Sequence, residues 1–262
     1  MRQLNLSPSR KSFSAAGLKN IALVSMFLDH FAKIPYVYNL QQNGVANYTA
    51  DLWYILMTSI GRLAFPLFAF LLAEGISHTH DLRKYLSRLL LTAIISQVPY
   101  SIAFNGRVWS FRQLNVFFTF AAAIAAVQLL SHSYCLLQKR SKIIRNTAVC
   151  AEILTVCILS KLLHLEYGMF GIGLVILFCA LRHNRKKMLT IFCIAFSPLY
   201  LLHCLTTGST QQASMLCIRE LPGLLSAPLI WMYNGERGKQ SKYFYYVFYP
   251  LHLLFLLNLC FF

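Results

Sequence analysis

Acidic residues are scarce in this chain. Its 262 residues include eight Asp and Glu against 24 Lys and Arg, and charged residues of both signs make up only 12%. No polar stretch is long enough to carry a core of its own, which excludes a separate soluble domain. The eight cysteines include no C-x-x-C pair, so neither a zinc site nor a thiol redox motif is indicated. They read as small hydrophobes within apolar runs. G-x-S-x-G, H-E-x-x-H and Walker signatures are missing as well. There is no low-complexity linker and no internal repeat. Residues 1–16 lack the apolar core of a cleavable signal, so they are expected to form a basic cytoplasmic tail ahead of a single transmembrane domain over 17–262.

What the chain does have is apolar length. Hydrophobic residues make up 57% of the sequence, and the mean hydropathy is +0.55. Long apolar runs of this kind predict an all-α, polytopic membrane bundle. About nine spans can be drawn, at 17–37, 52–75, 86–104, 115–132, 146–164, 167–182, 188–206, 214–233 and 243–261. Lys and Arg gather in alternate connections: Arg2, Arg10, Lys11 and Lys19 before the first span, then Arg83, Lys84 and Arg88, then Lys139–Arg145, then Arg182–Lys187, then Arg237, Lys239 and Lys242. Residues 38–51 and 207–213 contain neither, while 105–114 holds Arg107 and Arg112. Nine spans, with the N-terminus inside and the C-terminus outside, put the basic clusters on the cytoplasmic side. The net charge of +16 is therefore read as topology, and no nucleic-acid partner is expected.

The informative residues are the polar ones at membrane depth. The first span, GLKNIALVSMFLDHFAKIPYV, holds Asp29 and His30 in its interior. Ionisable groups there are costly and point to function. Lys19 precedes His30 by eleven residues, which puts the two on nearly one helix face about 16 Å apart. Counting residues inward from each span end places Arg62, Gln97 and His252 near the depth of Asp29 and His30. Asp29 is expected to pair with Arg62, with Lys33 as a further partner, and Glu74 falls level with Lys19 as a second possible pair. Two imidazoles at one depth suit proton transfer near neutral pH. The loop His78–His80 is read as solvated rather than as a metal site. Gly168, Gly171 and Gly173 are read as close-packing positions and not as a phosphate loop.

Three blocks, LKNIALVSMFLDHF (18–31), IGRLAFPLFAFLLAEGISHTHDLRKYLSRLLLTAIISQVPY (60–100) and YNGERGK…YFYYVFYPLHLL (233–254), resemble the TraX family of bacterial inner-membrane proteins, typified by an F-pilin acetylase. That family is in turn similar to membrane acyltransferases that use acyl-coenzyme A, many of which carry an Arg ten residues clear of a His in the first span. Here Lys19 stands in the Arg position, keeping the charge without the bidentate fork. The resemblance implies His30 as catalytic base, with Asp29, Arg62 and His252 around it. Lys19, Glu74, Arg83, Lys84 and Arg88 would form the entrance for acetyl-CoA, the acyl donor, with no metal. Arg62, Gln97 and His252 are the candidates for the oxyanion. The acceptor implied is an amine or hydroxyl of a pilin or other envelope component, reached from a multi-pass position in the inner membrane. Two other readings stand beside it. One is a proton-coupled transporter, for which related halves and broken helices are expected. The other is a non-catalytic assembly factor in which the buried pairs are architectural.

Overall fold

The computed structural model describes residues 12–43, 52–206, 220–241 and 243–261. Arg2, Arg10, Lys11, Lys242, the loop 207–213 and the first part of the eighth expected span lie outside them. Among the described residues the chain is helical, without a named strand: α1 Ala15–Asn43, α2 Leu52–Gly61, α3 Ala64–His78, α4 Leu82–Asn105, α5 Val116–Leu136, α6 Lys142–Leu162, α7 Gly168–Leu181, α8 Arg185–Thr206, a 3-10 turn Leu221–Leu225, α9 Ser226–Trp231 and α10 Phe244–Phe261.

Four stretches are long and apolar enough to cross a bilayer: Leu52–His78 (α2 and α3 together), Leu82–Asn105, Val116–Leu136 and Lys142–Leu162. Gly168–Leu181, Leu221–Trp231 and Phe244–Cys260 are apolar but shorter. Exposed Leu90, Leu91, Ile94 and Ile95 on α4, and Ile153, Leu154, Ile158 and Leu159 on α6, give the outside of the bundle an apolar surface suited to lipid. This is a helical membrane protein.

Local chemistry sets several boundaries. The second expected span breaks at Arg62 and Leu63. Pro66 has no N–H to offer the carbonyl four residues back, so Arg62 leaves the regular ladder at that point. Asp81 caps α4, accepting from the Lys84 backbone N–H at 2.9 Å, and this bond holds its carboxyl below the usual range. Asn115 and Ser141 cap α5 and α6 in the same way. Gly106, at φ 62°, ends α4 in the left-handed region that a side chain would disfavour. The eighth expected span carries, in its described part, only the 3-10 turn and the six-residue α9.

The end of the expected N-terminal tail is tied down. Phe13 pairs with Tyr233, and Ala15 and Ala16 donate to the carbonyls of Glu236 and Arg237. At the opposite end of the bundle, Leu114 and Leu165 form a short bridge between the α4–α5 and α6–α7 connections. Two apolar cores fill the interior. One is built around Phe65, Phe70, Phe120, Phe170, Phe178 and Phe192. The smaller one, around Ile34, Tyr100, Tyr249 and Leu253, surrounds the middle of α1. Helix α1 packs against α2, α3, α4 and α10, which makes it the hub of the second core.

Candidate active site

Asp29 and His30 are adjacent on α1, so their side chains leave the helix about 100° apart. Each enters a different polar cluster.

Asp29 joins an ion cluster. Its Oδ1 accepts from Arg62 Nη2 at 2.7 Å, and its Oδ2 accepts from Lys33 Nζ at 2.7 Å. The other arm of Arg62, Nη1, pairs closely with Glu220 Oε1, and Tyr200 donates to the same carboxylate at 3.3 Å. Arg62 Nε donates to the Thr58 carbonyl at 3.3 Å. Two carboxylates and two cations balance, and the Arg62 and Asp29 side chains are only 12% exposed. The close approach depends on Gly61, because a Cβ there would lie 2.3 Å from Asp29 Cβ. The pairing of Asp29 with Arg62 follows the depth count, and that with Lys33 the four-residue spacing along α1. Glu220 escaped it. Its signal was scarcity: an acidic residue bordering an apolar run in a chain with so few needs a cation.

His30 joins His252. His30 Nδ1 lies 2.7 Å from His252 Nε2, with the rings 8° from coplanar and 5.1 Å between centroids, an end-to-end arrangement in the ring planes. His252 Nδ1 lies 3.0 Å from the Phe248 carbonyl. A carbonyl only accepts, so His252 Nδ1 carries the proton and its Nε2 is the acceptor. His30 Nδ1 must then donate to it. This assignment leaves the lone pair of His30 on Nε2, which has no hydrogen bond among the described residues. A carbonyl–imidazole–imidazole chain of this kind orients a base and spreads the charge it gains. Phe104 and Tyr249 meet His30 edge-on, keeping the pair in an apolar sleeve.

A cavity of about 810 Å³ approaches the pair from one end of the bundle. Its mouth carries Lys19, Arg88 and Arg237 with Glu74 and His78, and its walls include Tyr85, Tyr245 and Tyr246. Lys19 sits 5.0 Å from the Tyr245 ring and donates to Gln240 Oε1 at 2.8 Å. Its deep end is Leu23, Met26, Phe117 and Tyr249. Met26 is one turn before His30 on α1, and Tyr249 is three residues before His252 on α10, so the imidazoles lie just beyond the floor. The volume falls within the range of sites that bury most of a small ligand.

Several expectations need correction. Lys19 and Glu74 share the cavity without pairing: Lys19 bonds Gln240, and Glu74 approaches His78 at 3.7 Å. Depth matching fixes height and not direction around the axis. Arg83 and Lys84 stay on the exposed flank of α4 outside the cavity lining, and Lys84 pairs with Asp81 at 3.2 Å. Arg237, unassigned by the sequence reading, takes their place at the mouth. Gln97 does not reach the imidazoles. Its amide nitrogen donates to the Ser110 and Gln113 carbonyls, and its oxygen accepts from Asn115, which clamps the α4–α5 connection. As oxyanion candidates Gln97 and Arg62 are thus both committed elsewhere. In the segment 105–114, Ser110 is buried under this clamp.

These observations define a class: a helical membrane protein whose first helix holds a neutral ion cluster and, one residue on, a histidine pair at the end of a basic-mouthed cavity. The chain belongs to the TraX family, whose model, described as TraX protein, matches residues 14–260. It is also 30% identical over 255 residues to a Dichelobacter nodosus protein described as "Probable fimbrial assembly protein FimC, serogroup H1", covering 93% of this chain and 94% of that one. No solved structure matches it.

Proposed function

We propose that the protein is a membrane-embedded acyltransferase that moves an acetyl group from acetyl-CoA to an amine or hydroxyl of a pilin-type or other envelope acceptor. The observation that carries this reading is the His30–His252 pair, with its open Nε2, set just beyond the floor of a basic-mouthed cavity. A multiply anionic donor with a narrow arm suits that shape. Lys19, Arg88 and Arg237 would hold its phosphates, and the tyrosine-rich walls would take the rest. His30 Nε2 would accept the proton of the attacking group as it adds to the thioester carbonyl, and His252 would share the imidazolium charge. The family membership and the fimbrial name of the relative support an envelope acceptor. In this reading nine spans place the basic mouth on the cytoplasmic side of the inner membrane, where acetyl-CoA is found, with the C-terminus outside.

The test is His30→Ala in native membranes supplied with labelled acetyl-CoA. A fall in transfer of about 10²–10⁴-fold is expected for loss of a general base. Undiminished transfer to the native acceptor would sink the assignment.

A second reading, a non-catalytic assembly factor, draws on the relative's printed name and on the ion cluster, whose charges are fully answered. It expects His30→Ala to change folding and assembly together, with no transfer to lose.

A further inference from the structure

Tyr249 differs from the other buried polar groups around the imidazoles. It is 2% exposed, it lines the deep end of the cavity, and its hydroxyl is sealed from solvent without a hydrogen-bond partner among the described residues. Its ring centroid lies 6.3 Å from that of His30 and 5.3 Å from that of His252, and it meets Phe117 edge-on at 5.0 Å. One side chain therefore joins the cavity to the histidine pair. Leaving a buried hydroxyl unpaired costs roughly 1–3 kcal/mol, which phenylalanine would avoid with the same ring. No hydrogen bond among the described residues accounts for the oxygen. A ligand that brings an acceptor atom to the cavity floor does.

The chemistry at that floor has such an atom. Attack on a thioester places negative charge on the carbonyl oxygen, and the transfer needs a donor there. Arg62 has both terminal nitrogens on carboxylates, Gln97 is spent on the α4–α5 connection, and His252 gives its one proton to a backbone carbonyl.

We propose that the Tyr249 hydroxyl is the oxyanion donor of the acyl transfer, an inference that rests on the acetyltransferase reading above. The attacking nitrogen or oxygen forms its bond to the acyl carbon, and the carbonyl π pair moves onto oxygen, where the Tyr249 O–H donates to it. His30 Nε2 takes the proton of the attacking group. The carbonyl re-forms, the carbon–sulfur bond breaks, and the coenzyme A thiolate leaves and collects that proton from His30. Tyr249 keeps its own proton throughout.

Tyr249→Phe removes one oxygen and keeps the ring. In membranes holding the native acceptor and labelled acetyl-CoA, kcat should fall by about 10²–10³-fold with KM for acetyl-CoA unchanged. The purified variant should unfold at the same temperature as the parent or higher, because no hydrogen bond is lost. A kcat equal to the parent's overturns the proposal. So does a loss explained by a raised KM or by a lower unfolding temperature, since either assigns the hydroxyl to binding or to folding. If the parent protein itself transfers no acetyl group, the acetyltransferase reading falls and this inference with it. An active parent with an equally active Tyr249→Phe overturns the inference alone.

Discussion

Asp29 and His30 are neighbours in sequence and belong to different machines. The Asp29 cluster is closed: each carboxylate has a cation, both terminal nitrogens of Arg62 have a carboxylate, and the charges cancel. The His30 cluster is open. Its chain of hydrogen bonds starts at the Phe248 carbonyl and ends at a nitrogen with no hydrogen bond among the described residues, near the ring of Tyr249, whose hydroxyl is likewise unpaired among them. At membrane depth both arrangements are expensive, but for different reasons. A closed ion cluster recovers its desolvation cost through its own pairs, so it can be explained by architecture. An open one recovers little unless a ligand completes it, and that asymmetry is the physical basis for assigning structure to one residue and chemistry to the next.

The comparison can be broken most forcefully at Arg62. Arg62→Ala leaves Asp29 and Glu220 with Lys33, bound to Asp29, as the one cation remaining in the cluster. The loss should be about 3–5 kcal/mol of stability, enough for the protein to fail to accumulate in membranes, as followed by detergent-solubilised yield and thermal unfolding. Accumulation at parental levels would mean that the cluster is not what holds α1 to α2. A gentler probe of the same contact is Gly61→Ala. The added methyl would sit 2.3 Å from Asp29 Cβ, so α2 must shift, at a cost of about 1–3 kcal/mol read as a lowered unfolding temperature. An unchanged temperature would show that the approach of the two helices is looser than described.

The smallest effect is expected at Glu166, in the turn between α6 and α7. One of its carboxylate oxygens is sealed without a partner, and burial pushes its carboxyl up to about 7. The folded protein then holds a proton that the unfolded chain releases near pH 4.5. Its contribution to stability is therefore complete below about pH 4.5 and is lost as pH rises from there through 7. Glu166→Gln, a neutral copy, should match the parent at pH 4 and exceed it at pH 8 by about 1–2 kcal/mol, with partial solvent contact limiting the gap. Thermal unfolding at the two pH values checks it, and equal curves at pH 8 would remove Glu166 from the set of strained buried groups.

How much of this was legible beforehand follows from what residue counting measures. Distance along a helix is fixed at about 1.5 Å per residue, so depth can be read from sequence. That count brought together Asp29 with Arg62 and His30 with His252. Direction around the helix is not fixed until the helices are packed, and the misses at Gln97 and Glu74 are of that kind. Gln97 has the right depth and faces the α4–α5 connection, and Glu74 is level with Lys19 but turned toward His78. The break at Arg62 had a local signal in Pro66 four residues on. Tyr249 had none. A tyrosine in an aromatic run reads as core, and only its hydroxyl, buried without a partner among the described residues, marks it out.

The claim that matters most is that the closed cluster holds the fold while the open one does the chemistry. It is tested most directly by measuring thermal unfolding and labelled acetyl transfer on one preparation of His30→Ala. The account predicts an unfolding temperature close to the parent's, with transfer reduced by about 10²–10⁴-fold. Transfer at the parental rate, or a loss of transfer that only follows loss of the folded protein, would contradict it.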